Sequence, residues 1–280
     1  MTLDKFQFDG AHAVLTGAAS GMGEQVALKL AALGTHLVLI DRDADRLANV
    51  ASIIVGRHPS LSVHTEVADL ADISNIDHLV SRILADSPTV NLLINNAGVA
   101  LGGSFAEVSP AEFDWVMEIN FRAPVALCRG LLPALRRSPG SHIVNVSSVF
   151  GLIGPPGQSA YASSKYALRG FSDVLRHELA AEDIGVTTVH PGGVRTRIAE
   201  SARVATSVTA EGRTHKSSVA QNLNFPADKA AALILDGVQH RRARVLIAYT
   251  STVPDIVARI FPTKYWAILQ ALQRRTASKN

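Results

Sequence analysis

The sequence predicts an α/β fold, a doubly wound parallel sheet covered by helices on both faces, and three observations carry that reading. Short runs rich in β-branched and apolar residues alternate with segments of helical periodicity along most of the 280 residues, the pattern of right-handed βαβ crossovers. A glycine-rich turn, TGAASGMG at 16–23, joins the first such run to the first helical segment. Gly17, Asp41, Asp69, Asn96, Ser148 and Pro191 all fall at the carboxyl ends of strands, where open parallel sheets take their ligands.

Taken in order, residues 11–16 (AHAVLT) read as a buried strand and 24–33 as a helix with apolar residues at helical intervals. Between them Gly17, Gly21 and Gly23 permit a tight turn, close approach of a ligand to the backbone, and close packing of helix on strand. The freed N–H groups at the helix start suit a pyrophosphate, with a plain strand-to-helix turn as the alternative. The strand at 36–40 ends on Asp41, twenty-four residues past Gly17, and a carboxylate there can accept hydrogen bonds from both hydroxyls of an adenosine ribose. A 2′-phosphate about 4 Å from that carboxylate would cost ~1–4 kcal/mol, which favours NAD over NADP; Arg42, the next residue, partly offsets the repulsion. A strand at 61–67 closes at Asp69-Leu70, and a helix follows at 73–84. The strand at 91–94 runs into Asn95-Asn96-Ala97-Gly98, whose adjacent amides can tie neighbouring backbone segments together. A Gly102-Gly103-Ser104 loop precedes a long helix at 110–135 that contains Asn120 and Pro124, both poor helix formers. Either marks a kink that frees a carbonyl to hold water, or Asn120 is a polar contact between helices.

The stretch 141–165, SHIVNVSSVFGLIGPPGQSAYASSK, organises the rest. It opens as a strand at 142–146, breaks at Gly154-Pro155-Pro156-Gly157 and enters a helix. On that helix Tyr161 and Lys165 share one face, a single turn apart, and Ser148 at the strand end is within loop reach of the phenol. A phenol has an ordinary pKa near ~10; a lysine ammonium beside it favours the phenolate, and a serine hydroxyl can donate to a substrate oxygen. Such a trio suits moving a proton on or off an alcohol oxygen as a hydride leaves or reaches its carbon. The pair alone is common by chance and is more often a half-buried ring beside a solvated amine. The helix runs to about 180, a strand follows at 185–190, and Pro191-Gly192 ends it, with Val194 and Thr196 beyond. Residues 198–224 are polar and long for a plain connection, as a substrate lid would be. A helix at 227–238 and a last strand at 244–247 complete the alternation. The tail, 253–280, sets Ile256, Ile260, Trp266, Leu269 and Leu272 among basic residues. It reads as an amphipathic helix packed on its own domain or a second subunit, or lying peripherally on a membrane.

Composition narrows the function classes. At 47% hydrophobic, the chain can bury one large core, so a single domain over 1–280 is expected. The one cysteine, Cys128, permits no intramolecular disulfide and reads as a small buried hydrophobe. The start carries no signal-peptide pattern and no apolar run spans a bilayer, so a cytoplasmic protein is expected. A net charge of +3 with scattered basic residues and 5% aromatics gives no nucleic-acid signature. The ten histidines lie apart, with no metal-ligand spacing.

Together these motifs resemble the short-chain dehydrogenase/reductase family in its single-domain branch, which has a Rossmann-type sheet. The match comprises Thr16-Gly17-x-x-x-Gly21-x-Gly23, Asp69, Asn95-Asn96-Ala97-Gly98, Asn120, Ser148, Tyr161-x-x-x-Lys165 and Pro191-Gly192 with Val194 and Thr196, in the family's order over roughly 9–247. The resemblance implies that Tyr161 is the acid/base, that Lys165 binds the nicotinamide ribose and lowers the Tyr161 pKa, and that Ser148 orients the substrate oxygen. It implies that Asn120 holds a water linking Lys165 to solvent. Gly17, Gly21, Gly23 and the backbone at Ser20 and Met22 would line the pyrophosphate, with Asp69 and Leu70 at the adenine, Asn96 near a ribose, and Val194 and Thr196 by the carboxamide. A basic residue at the position of Ser20 is common in NADP-preferring members, so its absence supports NAD.

The expected activity is NAD-dependent interconversion of a secondary alcohol and a ketone. Val149, Phe150, Leu152 and Ile153 beside Ser148 suggest a hydrophobic, lipid- or steroid-like substrate, and family analogy a homodimer or homotetramer. The alternatives are an NADP-dependent carbonyl reductase, a nucleotide-sensing binding protein that does no chemistry, and a membrane-surface interaction protein built on the tail. An enoyl reductase is disfavoured, because those usually space Tyr and Lys more widely.

Overall fold

In a computed structural model, residues 4–196, 198, 202–207 and 224–277 are described. The strands are β1 (His12–Thr16), β2 (His36–Asp41), β3 (Val63–Val67), β4 (Leu92–Asn95), β5 (Leu101–Gly102), β6 (His142–Val146), β7 (Gly185–Pro191), β8 (Arg203–Val204) and β9 (Arg244–Ile247). Seven of them form one parallel sheet in the order β3-β2-β1-β4-β6-β7-β9, and β5 and β8 pair in a separate ribbon. The strand order reverses between β1 and β4, and a crevice opens at such a switch point beyond the strands' carboxyl ends.

Side chains along each strand alternate between two apolar layers, as the two-residue period requires. Leu15, Leu37, Leu39, Leu92 and Ile94 meet α1 (Gly21–Ala32), α2 (Ala44–Arg57) and α7 (Ala227–Gln239) through Leu30, Leu47, Ile54 and Ile234. Val14, Val38, Ile40, Leu93 and Ile143 meet α3 (Ile76–Asp86), α5 (Ala123–Arg136) and α6 (Ser159–Leu179) through Leu79, Ile83, Leu127, Leu131 and Leu175. Each of these large side chains contributes ~1.5–3 kcal/mol on burial. Burial on both faces explains why the central strands read as unbroken apolar runs rather than as alternating ones.

Several boundaries differ from the sequence reading, each for a local reason. The first helix starts at Gly21, three residues before the expected Glu24, because the last two glycines of the turn already wind into it. A helix unassigned from sequence, α2, is capped by the Asp43 carboxylate accepting from Arg46 N at 3.2 Å and buries Leu47, Val50 and Ile54. The helix expected at 110–135 consists of α4 (Pro110–Met117) and α5 joined by a π-turn at Glu118–Arg122 that contains Asn120. Pro124 sits in the first turn of α5, where a missing N–H costs nothing. The tail forms two helices, α8 (Tyr249–Ile260) and α9 (Tyr265–Ala277), rather than one. Of the expected lid at 198–224, residues 199–201 and 208–223 lie outside the described residues. Among the described residues, no helix is long and apolar enough to cross a membrane.

Candidate active site

Four elements bring Ser148, Tyr161, Lys165 and Asn120 to one place. Strand β6 delivers Ser148, where the chain leaves the sheet for a 3₁₀ turn at Val149–Gly151, and the Ser148 Oγ accepts from Phe150 N at 3.1 Å. Helix α6 presents Tyr161 and Lys165 on adjacent turns, both buried. The Ser148 hydroxyl favours the ionised form of the Tyr161 phenol. The Phe150 ring stands edge-on to the Tyr161 ring, with centroids 6.0 Å apart. The Lys165 ammonium lies 5.8 Å from the Tyr161 ring centroid and donates to the Val146 carbonyl at 2.9 Å. At Gly98 a methyl group would sit 3.3 Å from both Asn120 Oδ1 and Lys165 Nζ, which measures how closely the β4 loop, the π-turn and α6 converge.

Asn120 is fully buried, and three of the four hydrogen-bonding positions of its amide are taken by protein. Its Oδ1 accepts from Val99 N at 2.9 Å, and its Nδ2 donates to Val99 O at 2.9 Å and to Ser164 Oγ at 3.1 Å. The side chain therefore clamps the loop after β4 to α6. The contact between helices and the kink, posed as alternatives from sequence, are both present.

The glycine-rich turn is held in shape by Asn96 and Thr16. Asn96 Nδ2 donates to the carbonyls of Thr16 and Gly17 at 3.0 and 3.2 Å, and Thr16 Oγ1 accepts from the N–H groups of Asn96 and Ala97, both at 3.0 Å. Gly17 has a φ of +69°, and a side chain on Gly23 would come within 1.9 Å of the Gly17 carbonyl. Neither position admits another residue without moving backbone. Ser20, the N-cap of α1, makes no side-chain cap hydrogen bond, so the first N–H groups of the helix are left to a ligand. Thr196 faces the turn, its Cβ 3.2 Å from where a side chain on Gly21 would begin. Met22, the next residue of the turn, is half-buried.

Asp41 ends β2 beside this turn, its carboxylate accepting from Ala19 N and Asp43 N, both at 3.0 Å. A carboxylate has about four acceptor positions, so half remain for ribose hydroxyls; Arg42 next to it is exposed. At the end of β3, Asp69 accepts from Ala71 N at 3.0 Å and Leu70 is buried. Val194 is buried and bridged to Phe225. Bare helix N–H groups, a close-packed glycine turn and a half-engaged carboxylate at the switch point fit a dinucleotide.

A family model described as short chain dehydrogenase matches residues 11–206. The chain belongs to the short-chain dehydrogenase/reductase family. Relatives agree with it end to end. A protein named putative oxidoreductase SadH, from Mycobacterium tuberculosis, is 34% identical over 266 residues, covering 94% of this chain and 95% of its own length. Dehydrogenase/reductase SDR family member 7B of Xenopus laevis is 33% identical over 280 residues, covering 95% and 83%. A solved short-chain dehydrogenase/reductase from Burkholderia phymatum, in complex with NAD, superposes with a TM-score of 0.82 at 30% identity, covering 95% of this chain and 96% of that one. A short chain dehydrogenase from Burkholderia cenocepacia in complex with NADP gives 0.75 at 27% identity, covering 88% and 100%. This short-chain dehydrogenase/reductase is therefore an NAD(P)-dependent oxidoreductase acting on CH–OH groups.

Within this family member, burial sets the proton affinities. It raises the Tyr161 phenol above its ordinary value, and the Ser148 hydroxyl only partly opposes the rise. It also pulls Lys165 down to about 8. The lysine is spent on the Val146 carbonyl, and burial has weakened its own hold on a proton.

Three residues that the sequence reading did not single out support the site. Ser164 donates to Tyr161 O at 2.7 Å while accepting from Asn120, and Ser147 Oγ donates to Lys165 O at 2.9 Å. His190, at the end of β7, holds the Ser148 carbonyl through Nδ1 at 3.0 Å; a carbonyl only accepts, so that nitrogen carries the proton. Burial brings His190 down to about 4, leaving it neutral near pH 7. Its place immediately before Pro191-Gly192 was the one visible signal. Cys128 is buried and pushed up to about 12, an inert thiol as expected.

Proposed function

We propose that this dehydrogenase/reductase interconverts a secondary alcohol and a ketone on a small hydrophobic substrate, with NAD as the preferred coenzyme. The observation that carries the reading is the buried Tyr161 with the Lys165 ammonium 5.8 Å from its ring centroid, beside the turn that Ser148 caps, whose Phe150 ring packs on it at 6.0 Å. A nicotinamide coenzyme, when bound, supplies or accepts the hydride. Tyr161 gives its proton to the carbonyl oxygen in reduction and takes the hydroxyl proton in oxidation, and Ser148 donates a hydrogen bond to that same oxygen. Lys165 holds the nicotinamide ribose, and Asn120 keeps Lys165 and the loop after β4 in register. The N–H groups at Ser20, Gly21 and Met22 hold the pyrophosphate, Asp41 the adenosine ribose, Asp69 and Leu70 the adenine, and Val194 and Thr196 the carboxamide. Apolar character in the substrate is supported by Phe150 against Tyr161 and by Leu152 and Ile153 buried beside them.

Preference for NAD is supported by the Asp41 carboxylate at the end of β2, which would oppose a 2′-phosphate. Binding of NADH and NADPH to wild type and Asp41→Ala tests it: the variant should gain NADPH affinity at least tenfold relative to NADH. Self-association into a dimer or tetramer is supported by an exposed strip on α6, namely Tyr166, Gly170 and Val174 at four-residue spacing.

The decisive experiment is a screen of secondary alcohols and ketones of graded size, followed at 340 nm with each coenzyme, in wild type and Tyr161→Phe. The variant should lose at least a thousandfold in kcat while binding NADH as before. Full turnover in Tyr161→Phe would overturn the assignment.

A further inference from the structure

Helix α8 carries an apolar face with nothing over it among the described residues. Tyr249, Val253, Ile256 and Ile260 recur at steps of four, three and four residues, so they line one side of the helix, and they are 79, 43, 50 and 63% exposed. Phe261 extends the strip at 46% exposed. Monomeric surfaces rarely leave so many large apolar side chains contiguous without an occupant. The opposite side of α8 is fixed to the sheet, where the buried Asp255 carboxylate takes both terminal nitrogens of Arg244 on β9 and the Nε of Arg259. The apolar strip is consequently presented outward on a rigid support.

Charge says what the occupant is. Residues 249–280 contain five lysines and arginines against one acid, a net charge of +4, while the whole chain is only +3. The single acid is Asp255, turned inward, so the exposed surroundings of the strip, with Arg259, Lys264 and Arg274 all exposed, are basic. Two copies meeting through this face would set positive against positive, and the strip on α6 serves self-association better. An apolar helix face bordered by basic residues is the pattern of a helix lying in an anionic lipid interface.

We infer that the α8–α9 hairpin docks this protein on anionic lipid surfaces, with the Tyr249–Phe261 strip entering the bilayer boundary and the basic residues meeting the headgroups. The same hairpin adjoins the catalytic loop: Tyr265 at the start of α9 accepts from Gly154 N at 3.0 Å, six residues after Ser148. A docked molecule therefore holds the loop that follows Ser148 close to the lipid, a short path for an apolar alcohol or ketone. That last step rests on the function proposed above; the docking does not.

The test is flotation of the full chain with vesicles of phosphatidylcholine alone and of phosphatidylcholine with 30% phosphatidylserine, paired with light-scattering mass measurement. Wild type should float with the anionic vesicles, and at least tenfold less with the neutral ones. Ile256→Glu/Ile260→Glu should abolish flotation at unchanged mass, and Lys264→Glu/Arg274→Glu should reduce it at least fivefold. NADH binding in each variant shows that the fold is intact and reads the dinucleotide site separately. Absence of flotation in wild type, equal flotation on neutral vesicles, or a fall in mass in the Ile256/Ile260 variant would each overturn the inference, the last by making the strip a subunit interface.

Discussion

At the residue scale, function turns on proton affinities set by burial. With Tyr161 raised by desolvation, the phenol stays protonated at neutral pH, the form that ketone reduction uses. Reduction should therefore hold steady through neutrality and fall at high pH, while alcohol oxidation, which needs the phenolate, should climb through the same alkaline range. Initial rates in both directions from pH 6 to 10.5 check this, and an oxidation rate that falls over that interval contradicts Tyr161 as the base. His190 acts one step back, through the Ser148 carbonyl. In His190→Phe the carbonyl loses its donor, a deletion worth ~1–3 kcal/mol. We expect kcat to fall more than KM rises, because the change displaces the serine rather than the substrate's binding surface. His190→Asn, which can still donate, should recover part of the loss.

At the scale of elements, the π-turn and the C-terminal hairpin show how local irregularity positions chemistry. The π-turn at Glu118–Arg122 points Asn120 at both backbone groups of Val99. Asn120→Ala leaves those two part-buried groups and the buried Ser164 hydroxyl each short of a partner, at up to ~1–3 kcal/mol per unsatisfied group. Urea denaturation should show a lower midpoint, and turnover should fall with it. The hairpin depends on Asp255. Removing one partner of a buried, hydrogen-bonded ion pair costs ~3–5 kcal/mol, so Asp255→Ala should lower stability by about that much and release α8 to rapid amide hydrogen exchange. The Arg244 Nε, buried without a partner, adds to the penalty. Element boundaries were legible to within a few residues where apolar periodicity is strong, as in β1, β9 and α7. They blurred where a cap or glycine decides, as at Gly21, and α2 was missed because its signal is an Asp43 cap followed by only three buried residues.

At the scale of the whole molecule, two buried histidines tie stability to pH. His142, the first residue of β6, accepts at Nδ1 from Arg241 and donates from Nε2 to Thr187 Oγ1, which donates to Arg242 O. Arg241, donating to Nδ1, demands the neutral ring, and burial, with the Arg241 charge second, brings His142 down to about 3. A histidine in the unfolded chain takes a proton near pH ~6.5. Between that value and the folded one the unfolded state binds more protons, so stability falls as pH falls, by ~1.4 kcal/mol per pH unit for each such histidine. His190, near 4, adds to the same window. Thermal melts from pH 7 to 4.5 should show steadily lower midpoints, and His142→Gln should flatten the slope by about one proton. An unchanged slope in that variant removes His142 from the account.

What the sequence by itself determined is the alternation of strands and helices, the glycine turn, and the shared helix face of Tyr161 and Lys165, because these are written in local periodicity and spacing. Tertiary structure alone decided that Lys165 is engaged by Val146 O, that Asn120 is tied to Val99 and Ser164, and that His190 secures Ser148 from a strand forty-two residues on. It also decided which face of the tail is turned away from the core. Contacts between distant segments, and the loss of water around them, set these outcomes, and neither is encoded in the spacing of neighbours along the chain.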